Sequence, residues 1–320
     1  MTRTAASPRP ARTVFIGSGG FGVPAFRALA TDPAIDLVGV VSAPPRPAGR
    51  KLGSARTPVA DLAADLGVGP VLTPARLRDP AALADLLTLA PAFIVLADYG
   101  QIVPPALLGL PHGALNLHPS LLPRHRGATP VPATILAGDE ATGVSLMRMD
   151  DGLDTGPLVA QARTTVEPDE TSPALEARLA EIGAALLAAS LPAWLRGELP
   201  ERPQPATGAT LTKPLRREDG RLDPARSALE LERHVRAYQP WPGSFLVTRH
   251  GRLTVWRAAV GPGEHTPSGR LGPRGLATGD GTLLLHEVQP AGGRRMSWAE
   301  YLRGRPGIVG SAALASDRDT

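Results

Sequence analysis

The stretch from Gly113 to Gly156 decides the fold prediction for this chain, and it reads GALNLHPSLLPRHRGATPVPATILAGDEATGVSLMRMDDGLDTG. It carries Asn116, His118 and Asp154 in one segment, between two apolar runs that we predict to be neighbouring strands. An amide, an imidazole and a carboxylate are suited to acyl transfer, because together they supply hydrogen-bond donors to a developing oxyanion and an acceptor for a proton.

Signals for strands and helices alternate from Thr13 to Leu195, which predicts the α/β class with an open, mostly parallel sheet. Short apolar runs predict the strands, and runs with helical periodicity predict the helices. The predicted strands are 13–16, 37–41, 70–72, 93–96, 114–117 and 144–149, and the predicted helices are 22–30, 58–66, 79–87 and 171–195. Pro192 is a candidate break in the last helix.

The ends of these predicted strands indicate where a ligand binds, because open α/β sheets bind ligands beyond the carboxyl ends of their strands. Asn116 and His118 lie at the end of one predicted strand, and Asp154 follows another within a Gly-flanked turn. We therefore predict an active site at this edge of the sheet. The purely structural alternative is a lone His in the core and an Asp-Gly turn on the surface.

The chain changes character after the last of these helices, which indicates a second domain, and 320 residues are enough for two. The stretch GELPERPQPAT has the Pro and charge content of a linker. Beyond a predicted helix at 227–238, short strands separated by Gly/Pro turns predict a small β-barrel. The predicted boundaries are a flexible extension at 1–12, a catalytic domain at 13–196, a linker at 197–207 and a β-barrel domain at 208–320.

Composition excludes several classes of chemistry. The chain has no Cys, which excludes disulfides, thiolate nucleophiles and Cys-ligated zinc and agrees with a reducing cytoplasm. It has no G-x-S-x-G or Walker A motif, and its acidic residues lack the spacing of a cation loop, so no metal is expected. No apolar run is long enough to predict a membrane span. The net charge of +4 permits a nucleic-acid partner without requiring one.

A glycine-rich motif suggests a different class of enzyme. Residues 17–22 read GSGGFG between a predicted strand and a predicted helix, which matches the G-x-G-x-x-G pattern of dinucleotide-binding proteins. A bound dinucleotide also needs an acid at the end of the second strand, where this chain has Val41 and Ser42. We therefore interpret the glycines as a tight turn, and a nicotinamide oxidoreductase stays open as an alternative.

Several short motifs resemble those of one known family, the folate-dependent formyltransferases. That resemblance rests on NLHPSLLP at 116–123, Arg126-Gly127 and DGLDTG at 151–156. Further motifs are similar to those of family members that act on methionyl-tRNA, namely PPRPAGRKL at 44–52, AYQPWPGSF at 237–245 and VQPAGGRRMS at 288–297.

The resemblance implies a Rossmann-like formyltransferase domain followed by a barrel related to the OB fold. It implies 10-formyltetrahydrofolate as co-substrate and the α-amine of initiator methionyl-tRNA as acceptor, in a cytoplasmic, monomeric enzyme. The residues it assigns to folate are Tyr99, Gly100, Ser120, Leu121, Leu122 and Pro123, and those it assigns to tRNA are Arg46, Arg50 and Lys51. Two alternatives stay open, a small amine such as a ribonucleotide or sugar-nucleotide as acceptor, and a non-catalytic tRNA-binding module.

The expected mechanism follows from the chemistry of formyl transfer to an amine. Attack on the formyl carbon places negative charge on oxygen, and we expect Asn116 and His118 to donate hydrogen bonds to that oxygen. We expect Asp154 to orient His118 and to help carry the proton away from the amine.

Overall fold

The computed structural model describes residues 9–48, 53–263 and 266–313, and the chain divides into two compact units. The first unit contains the chain up to Pro130 together with Ala141–Thr165 and Glu176–Thr212. The second contains Val131–Glu140, Val166–Leu175 and the chain from Lys213 onward. The stretch 197–207, which we predicted to be a linker, lies within the first unit.

Strands occur throughout both units. In chain order they are β1 Ala11–Gly17, β2 Ile35–Val41, β3 Arg46–Ala48, β4 Gly53–Ala55, β5 Val71–Leu72, β6 Phe93–Ala97, β7 Ala114–His118, β8 Arg126–Gly127, β9 Ala141–Arg148, β10 Leu158–Thr165, β11 Leu211–Thr212, β12 Ser244–Thr248, β13 Gly251–Gly261, β14 Gly275–Ala277, β15 Thr282–Pro290 and β16 Met296–Ser297.

Helices lie between many of these strands. In chain order they are α1 Gly22–Thr31, α2 Pro58–Asp65, α3 Pro80–Thr88, α4 Pro105–Leu108, α5 Pro130–Ala137, α6 Ser172–Leu195, α7 Ala228–Ala237 and α8 Trp298–Arg303. Among the described residues we find no helix with the length and hydropathy that a transmembrane segment requires.

The first unit is built on a seven-stranded sheet with the order β10-β9-β7-β6-β1-β2-β5. The strands from β7 to β5 in this order run parallel, and β9 is antiparallel to both β7 and β10. Strands β6 and β7 are buried along their whole length, because a parallel strand in the middle of such a sheet has both faces covered. The α/β class and the mostly parallel sheet are therefore confirmed.

Two details of this unit differ from the sequence prediction. Helix α6 continues through Pro192 to Leu195, so the candidate break is wrong. Pro192 removes one backbone hydrogen bond, and only three helical residues follow it, so little of the helix lies beyond the disturbed turn. Strand β10 was missed because it is an edge strand whose later residues alternate between half-buried and exposed, which gives a weak hydrophobic signal.

The topology brings the ends of three strands to one edge of the sheet. Gly17 at the end of β1 pairs with Ala97 at the end of β6, and Ala97 pairs with Leu117 near the end of β7. The glycine-rich turn and the loops that follow β6 and β7 therefore leave the sheet side by side. This is the edge at which open parallel sheets bind ligands.

The second unit contains an antiparallel sheet with the order β12-β13-β15-β14, and β16 pairs with β15. Irregular register on both sides of Arg257 bends β13 and curls the sheet. Leu231 of α7 and Trp298 and Tyr301 of α8 belong to the buried core of this unit. The result is a half-barrel of described strands, consistent with the predicted OB-like domain.

Candidate active site

The three predicted catalytic side chains meet at the carboxyl edge of the first sheet. Asn116 and His118 are both buried on β7, two residues apart, so both side chains point to the same face of the sheet. Asn116 Nδ2 donates to Asp154 Oδ1 at 3.3 Å, and His118 Nδ1 lies 3.6 Å from Asp154 Oδ2. Residues 38 and 36 positions apart in sequence therefore form one cluster, as predicted.

Asp154 lies in a turn between β9 and β10 that hydrogen bonds stabilise. Its backbone has a φ of 52°, which is uncommon for a residue with a side chain. Asp150 Oδ1 accepts hydrogen bonds from Gly152 N and Thr155 Oγ1, which stabilise the turn from within. The N–H of Gly127 donates to Asp154 Oδ2 at 2.7 Å and fixes the carboxylate.

The electrostatics of His118 depend on its burial. Its Nε2 lies 2.8 Å from the carbonyl oxygen of His125, so Nε2 carries a proton and donates it. Burial lowers the pKa of His118, while the negative charge of Asp154 and the His125 carbonyl oppose that shift. In the neutral ring the unprotonated Nδ1 faces Asp154 Oδ2 at 3.6 Å, so a proton taken up at this position would be stabilised by the nearby carboxylate.

These contacts differ from the expected role of His118 as an oxyanion donor. Both ring nitrogens face protein acceptors, the carbonyl of His125 and the carboxylate of Asp154. Asn116 has two N–H groups and uses one of them on Asp154, so the other is a donor for a developing oxyanion. The arrangement favours Asn116 as the donor and the His118–Asp154 pair as the proton acceptor.

The segment predicted to contact folate follows β7 directly. Ser120 is buried and its hydroxyl donates to the carbonyl of Arg124 at 2.6 Å. Leu122 packs with Met147 and Leu158, and Leu121 and Pro123 are half-buried. The side chains of Ser120 and Leu122 therefore shape the loop from inside the protein.

The other predicted folate residues follow β6. Tyr99 packs against the core, and its enclosed hydroxyl has no partner within the described part of the chain. Burial raises the pKa of Tyr99 to about 12, so the hydroxyl is neutral at physiological pH. Gly100 is exposed at the same sheet edge. Tyr99 and Gly100 are thus placed to present backbone groups, with the tyrosine ring as an anchor.

Asp98 explains why the glycine-rich turn need not bind a dinucleotide. The N–H of Gly19 donates to the Asp98 carboxylate, and a Cβ on Gly19 would lie 1.6 Å from Asp98 Oδ2. Desolvation by the surrounding protein raises the pKa of the Asp98 carboxyl, and the hydrogen bond from Gly19 opposes this shift. A carboxylate at this turn repels the pyrophosphate that a dinucleotide would place there.

Sequence reasoning missed the residues that support Asp154 from the predicted linker. Gln204 donates to the backbone carbonyls of Asp154 and Gly156 and accepts from the guanidinium of Arg126. Arg126 and Gln204 border a cavity of about 480 Å³, which is also lined by Thr155, Pro157, Pro203, Pro205, Ala206 and Ala209. The Pro-rich composition of this stretch carried no signal for such a role.

The predicted tRNA-binding residues lie at a short hairpin and beyond its described part. Arg46 is exposed and begins β3, which pairs with β4. Arg50 and Lys51 lie outside the described residues. Residues 42–57, which we call the basic loop, lie between the predicted strand 37–41 and the predicted helix 58–66, and their described part contains this antiparallel pair. In the described residues, His, Asp and Glu side chains form no group of three that could hold a metal.

Comparisons with known proteins agree with this architecture. The profile of the Formyl transferase family matches residues 11–191, and the profile of the Formyl transferase C-terminal domain matches residues 214–306. A protein of Thermus thermophilus named methionyl-tRNA formyltransferase is 47% identical over 300 residues, which cover 92% of this chain and 96% of the relative. A protein of the same name from Myxococcus xanthus is 44% identical over 305 residues, which cover 94% and 97%.

A solved structure shares the fold at low identity. HypX from Aquifex aeolicus, in complex with tetrahydrofolic acid, aligns with a TM-score of 0.59 and 16% identity over 91% of this chain and 46% of HypX. At that identity the likeness concerns the fold alone. The family profile, in contrast, spans more than half of the chain, and the two relatives cover nearly all of it. This chain therefore belongs to the formyl transferase family.

Proposed function

We propose that this protein transfers the formyl group of 10-formyltetrahydrofolate to the α-amine of methionyl initiator tRNA, which gives N-formylmethionyl-tRNA for translation initiation. Relatives that are 44–47% identical over more than 90% of the chain carry the name methionyl-tRNA formyltransferase. The observation that carries the proposal is the contact between Asn116, His118 and Asp154 at the ligand-binding edge of the sheet. A non-catalytic tRNA-binding module would not need this contact.

The proposed donor site lies beside this cluster. The segments Tyr99–Gly100 and Ser120–Pro123 follow the parallel strands β6 and β7, whose ends are paired. The similarly folded HypX was solved in complex with tetrahydrofolic acid, which supports a folate as the donor. The donor supplies the formyl carbon, and this chain supplies the groups that orient it and accept the proton.

The proposed mechanism assigns one role to each residue of the cluster. An α-amine has a pKa of roughly 7.7, so a substantial fraction is the nucleophilic free base at neutral pH. Asn116 donates to the oxygen of the tetrahedral centre, and one such donor contributes on the order of 3 kcal/mol. Asp154 accepts the amine proton, and the imidazole of His118, whose Nδ1 lies 3.6 Å from Asp154 Oδ2, assists this transfer. The bond between the formyl carbon and the folate nitrogen then breaks, and the His118–Asp154 pair returns the proton to that nitrogen, which leaves as a neutral amine.

The proposed tRNA site uses both parts of the chain. We assign catalysis to residues 13–196 and tRNA binding to 208–320 together with Arg46, Arg50 and Lys51 of the basic loop. Arg46 is exposed, which supports a contact with phosphate. We further propose that the protein acts as a monomer in the cytoplasm. Light scattering on the purified protein tests the monomer.

The decisive experiment is formyl transfer from 10-formyltetrahydrofolate to charged initiator methionyl-tRNA, with elongator methionyl-tRNA as the control. We expect transfer to the initiator and little to the elongator. If neither tRNA is formylated while folate binds, the tRNA assignment is wrong, and small amines on ribonucleotides or sugar-nucleotides become the acceptors to assay. Retention of a tRNA without any transfer would instead support the non-catalytic module.

A further inference from the structure

We infer that Gln204 is a positioning residue for Asp154, a role that rests on the proposed function and deepens it. Its side-chain amide lies between the turn that carries Asp154 and the strand β8 that holds the Asp154 carboxylate. Gln204 Nε2 is 2.8 Å from the carbonyl oxygen of Asp154 and 2.8 Å from that of Gly156. Its Oε1 is 3.0 Å from Arg126 Nε and 2.7 Å from Arg126 Nη2.

These contacts use the full hydrogen-bonding capacity of the amide. An amide nitrogen has two N–H donors, and each has its own carbonyl here; the oxygen has two lone pairs, and both accept from one guanidinium. Asp154 requires such support because its backbone is left-handed, with a φ of 52°. Two donors that converge on the carbonyls of Asp154 and Gly156 keep the turn in this conformation.

The side-chain carboxylate of Asp154 is held by strand β8. The residue after Arg126 is Gly127, whose N–H donates to Asp154 Oδ2 at 2.7 Å. Arg126 is itself fixed by the pairing of β8 with β11, where its N–H donates to the carbonyl of Thr210 and its carbonyl accepts from Thr212 Oγ1. Gln204 therefore links the backbone of Asp154 to the same strand that orients its side chain.

The position of Gln204 is also determined by its own segment. Arg202 and Leu158 exchange two backbone hydrogen bonds, of 2.7 and 2.9 Å, which join the stretch predicted as a linker to β10. Gln204 follows two residues later. An Asn at this position lacks a methylene and cannot span both partners, and a Glu retains the acceptors for Arg126 but has no N–H for the two carbonyls.

This difference between Gln and Glu gives the test. Gln204→Glu keeps the pairing with Arg126, so we expect it to lose less melting temperature than Gln204→Met, which keeps neither set of contacts. Gln204→Glu removes both donors from the Asp154 turn, so we expect kcat for transfer to initiator methionyl-tRNA to fall about 10-fold or more, with KM for the tRNA nearly unchanged. Gln204→Met loses both sets of contacts, and we expect it to lose both kcat and thermal stability.

Glu201→Gln is the matched control in the same segment. It removes the ion pair with Arg148, on a partly exposed side chain that makes no contact with Asp154, so kcat should not change. Wild-type turnover by Gln204→Glu would overturn the role of Gln204. So would a loss of kcat that is proportional to the loss of melting temperature in both Gln204 variants. Absence of transfer by the wild type would instead overturn the proposed function itself.

Discussion

Asp154 has a left-handed backbone and a carboxylate that is largely shielded from water, and each of these features costs free energy. A left-handed backbone costs about 1–2 kcal/mol for a residue with a side chain, and the buried cluster removes the carboxylate from bulk water. Hydrogen bonds from Asn116, Gly127 and Gln204 offset these costs. The strain is therefore part of how the carboxylate is aimed at the His118 imidazole.

The first prediction concerns this carboxylate. Asp154→Asn keeps the size of the side chain but cannot accept the amine proton, so we expect turnover to fall by roughly 10²-fold or more. Binding of initiator tRNA, measured by filter retention, should stay within a few-fold of the wild type. Single-turnover rates of formyl transfer provide the measurement. Full turnover by this variant would remove Asp154 from the proton path.

A buried histidine in the second unit predicts how stability depends on pH. Burial lowers the pKa of His234 to about 4, and the neutral ring fits its site because Nε2 donates to the carbonyl of Asp219 and Nδ1 faces the hydroxyl of Ser244. The unfolded chain has a His pKa of roughly 6.5 and so binds more protons below that pH. Stability is therefore lost as pH falls from about 6.5 towards 4.

His234→Gln removes this dependence. For the wild type we expect the contribution of His234 to fall by about 2 kcal/mol between pH 7 and pH 5, and the variant should lack this slope. Urea denaturation followed by tryptophan fluorescence at the two pH values gives the comparison. His250→Gln, at an exposed position, serves as the control and should keep the wild-type slope. Equal slopes in all three proteins would contradict the assignment.

At the scale of elements, Ser145 of β9 connects the sheet to the proposed folate segment. Its Oγ accepts from Leu122 N at 3.0 Å and from Gln161 Nε2 at 2.8 Å, and it donates to the carbonyl of Ser120 at 2.7 Å. One buried hydroxyl therefore joins the loop after β7 to both β9 and β10. The loop owes its shape to neighbouring strands as well as to its own prolines.

The prediction at this scale is that Ser145→Ala weakens use of the formyl donor. The substitution leaves buried backbone groups of Ser120 and Leu122 without their partner, which costs about 1–3 kcal/mol. We expect KM for 10-formyltetrahydrofolate to rise on the order of 10-fold, while KM for tRNA changes little. Ser190→Ala, another buried serine of the first unit, is the control for a general loss of stability. An unchanged KM for 10-formyltetrahydrofolate would show that the segment Ser120–Pro123 does not contribute to the folate site.

For the whole molecule, charge determines how the proposed RNA substrate is attracted. The chain has a net charge of +4 and 34 Lys and Arg residues, and Arg46 is exposed on the hairpin of β3 and β4. A protein that neutralises phosphates releases counterions, so its affinity falls with salt in proportion to the number of contacts. The slope of log affinity against log salt concentration therefore reports how many cations contact phosphate, and removal of one such cation changes it measurably.

We expect Arg46→Ala, and Arg50→Ala in the same basic loop, each to lower the salt slope of tRNA binding by about 1. Transfer to a small amine should be unaffected, because the cluster at Asp154 does not change. Plots of log kcat/KM against log salt concentration give the slope. Arg27→Ala removes an exposed cation from α1 and serves as the comparison. A slope that matches this control would place the loop outside the tRNA interface.

The sequence by itself determined the class of the first unit and the location of the candidate site. Apolar runs such as Phe93–Ala97 need no tertiary context to be recognised as buried parallel strands, and Asn116 and His118 end such a strand. Because the carboxyl ends of parallel strands share an edge, the place where these side chains meet Asp154 followed from local patterns alone. The motifs around them were enough for the family.

Only the tertiary structure decided which partners each group has. The carbonyl of His125 at Nε2 of His118, the amide of Gln204 under Asp154 and the carboxylate of Asp98 at Gly19 all join residues that local patterns treat as loop or linker. Such contacts depend on backbone turns with positive φ and on register between distant segments, which period-based signals do not contain. The protonation of His118 is set by these partners, because burial and hydrogen bonding act only once the chain is folded.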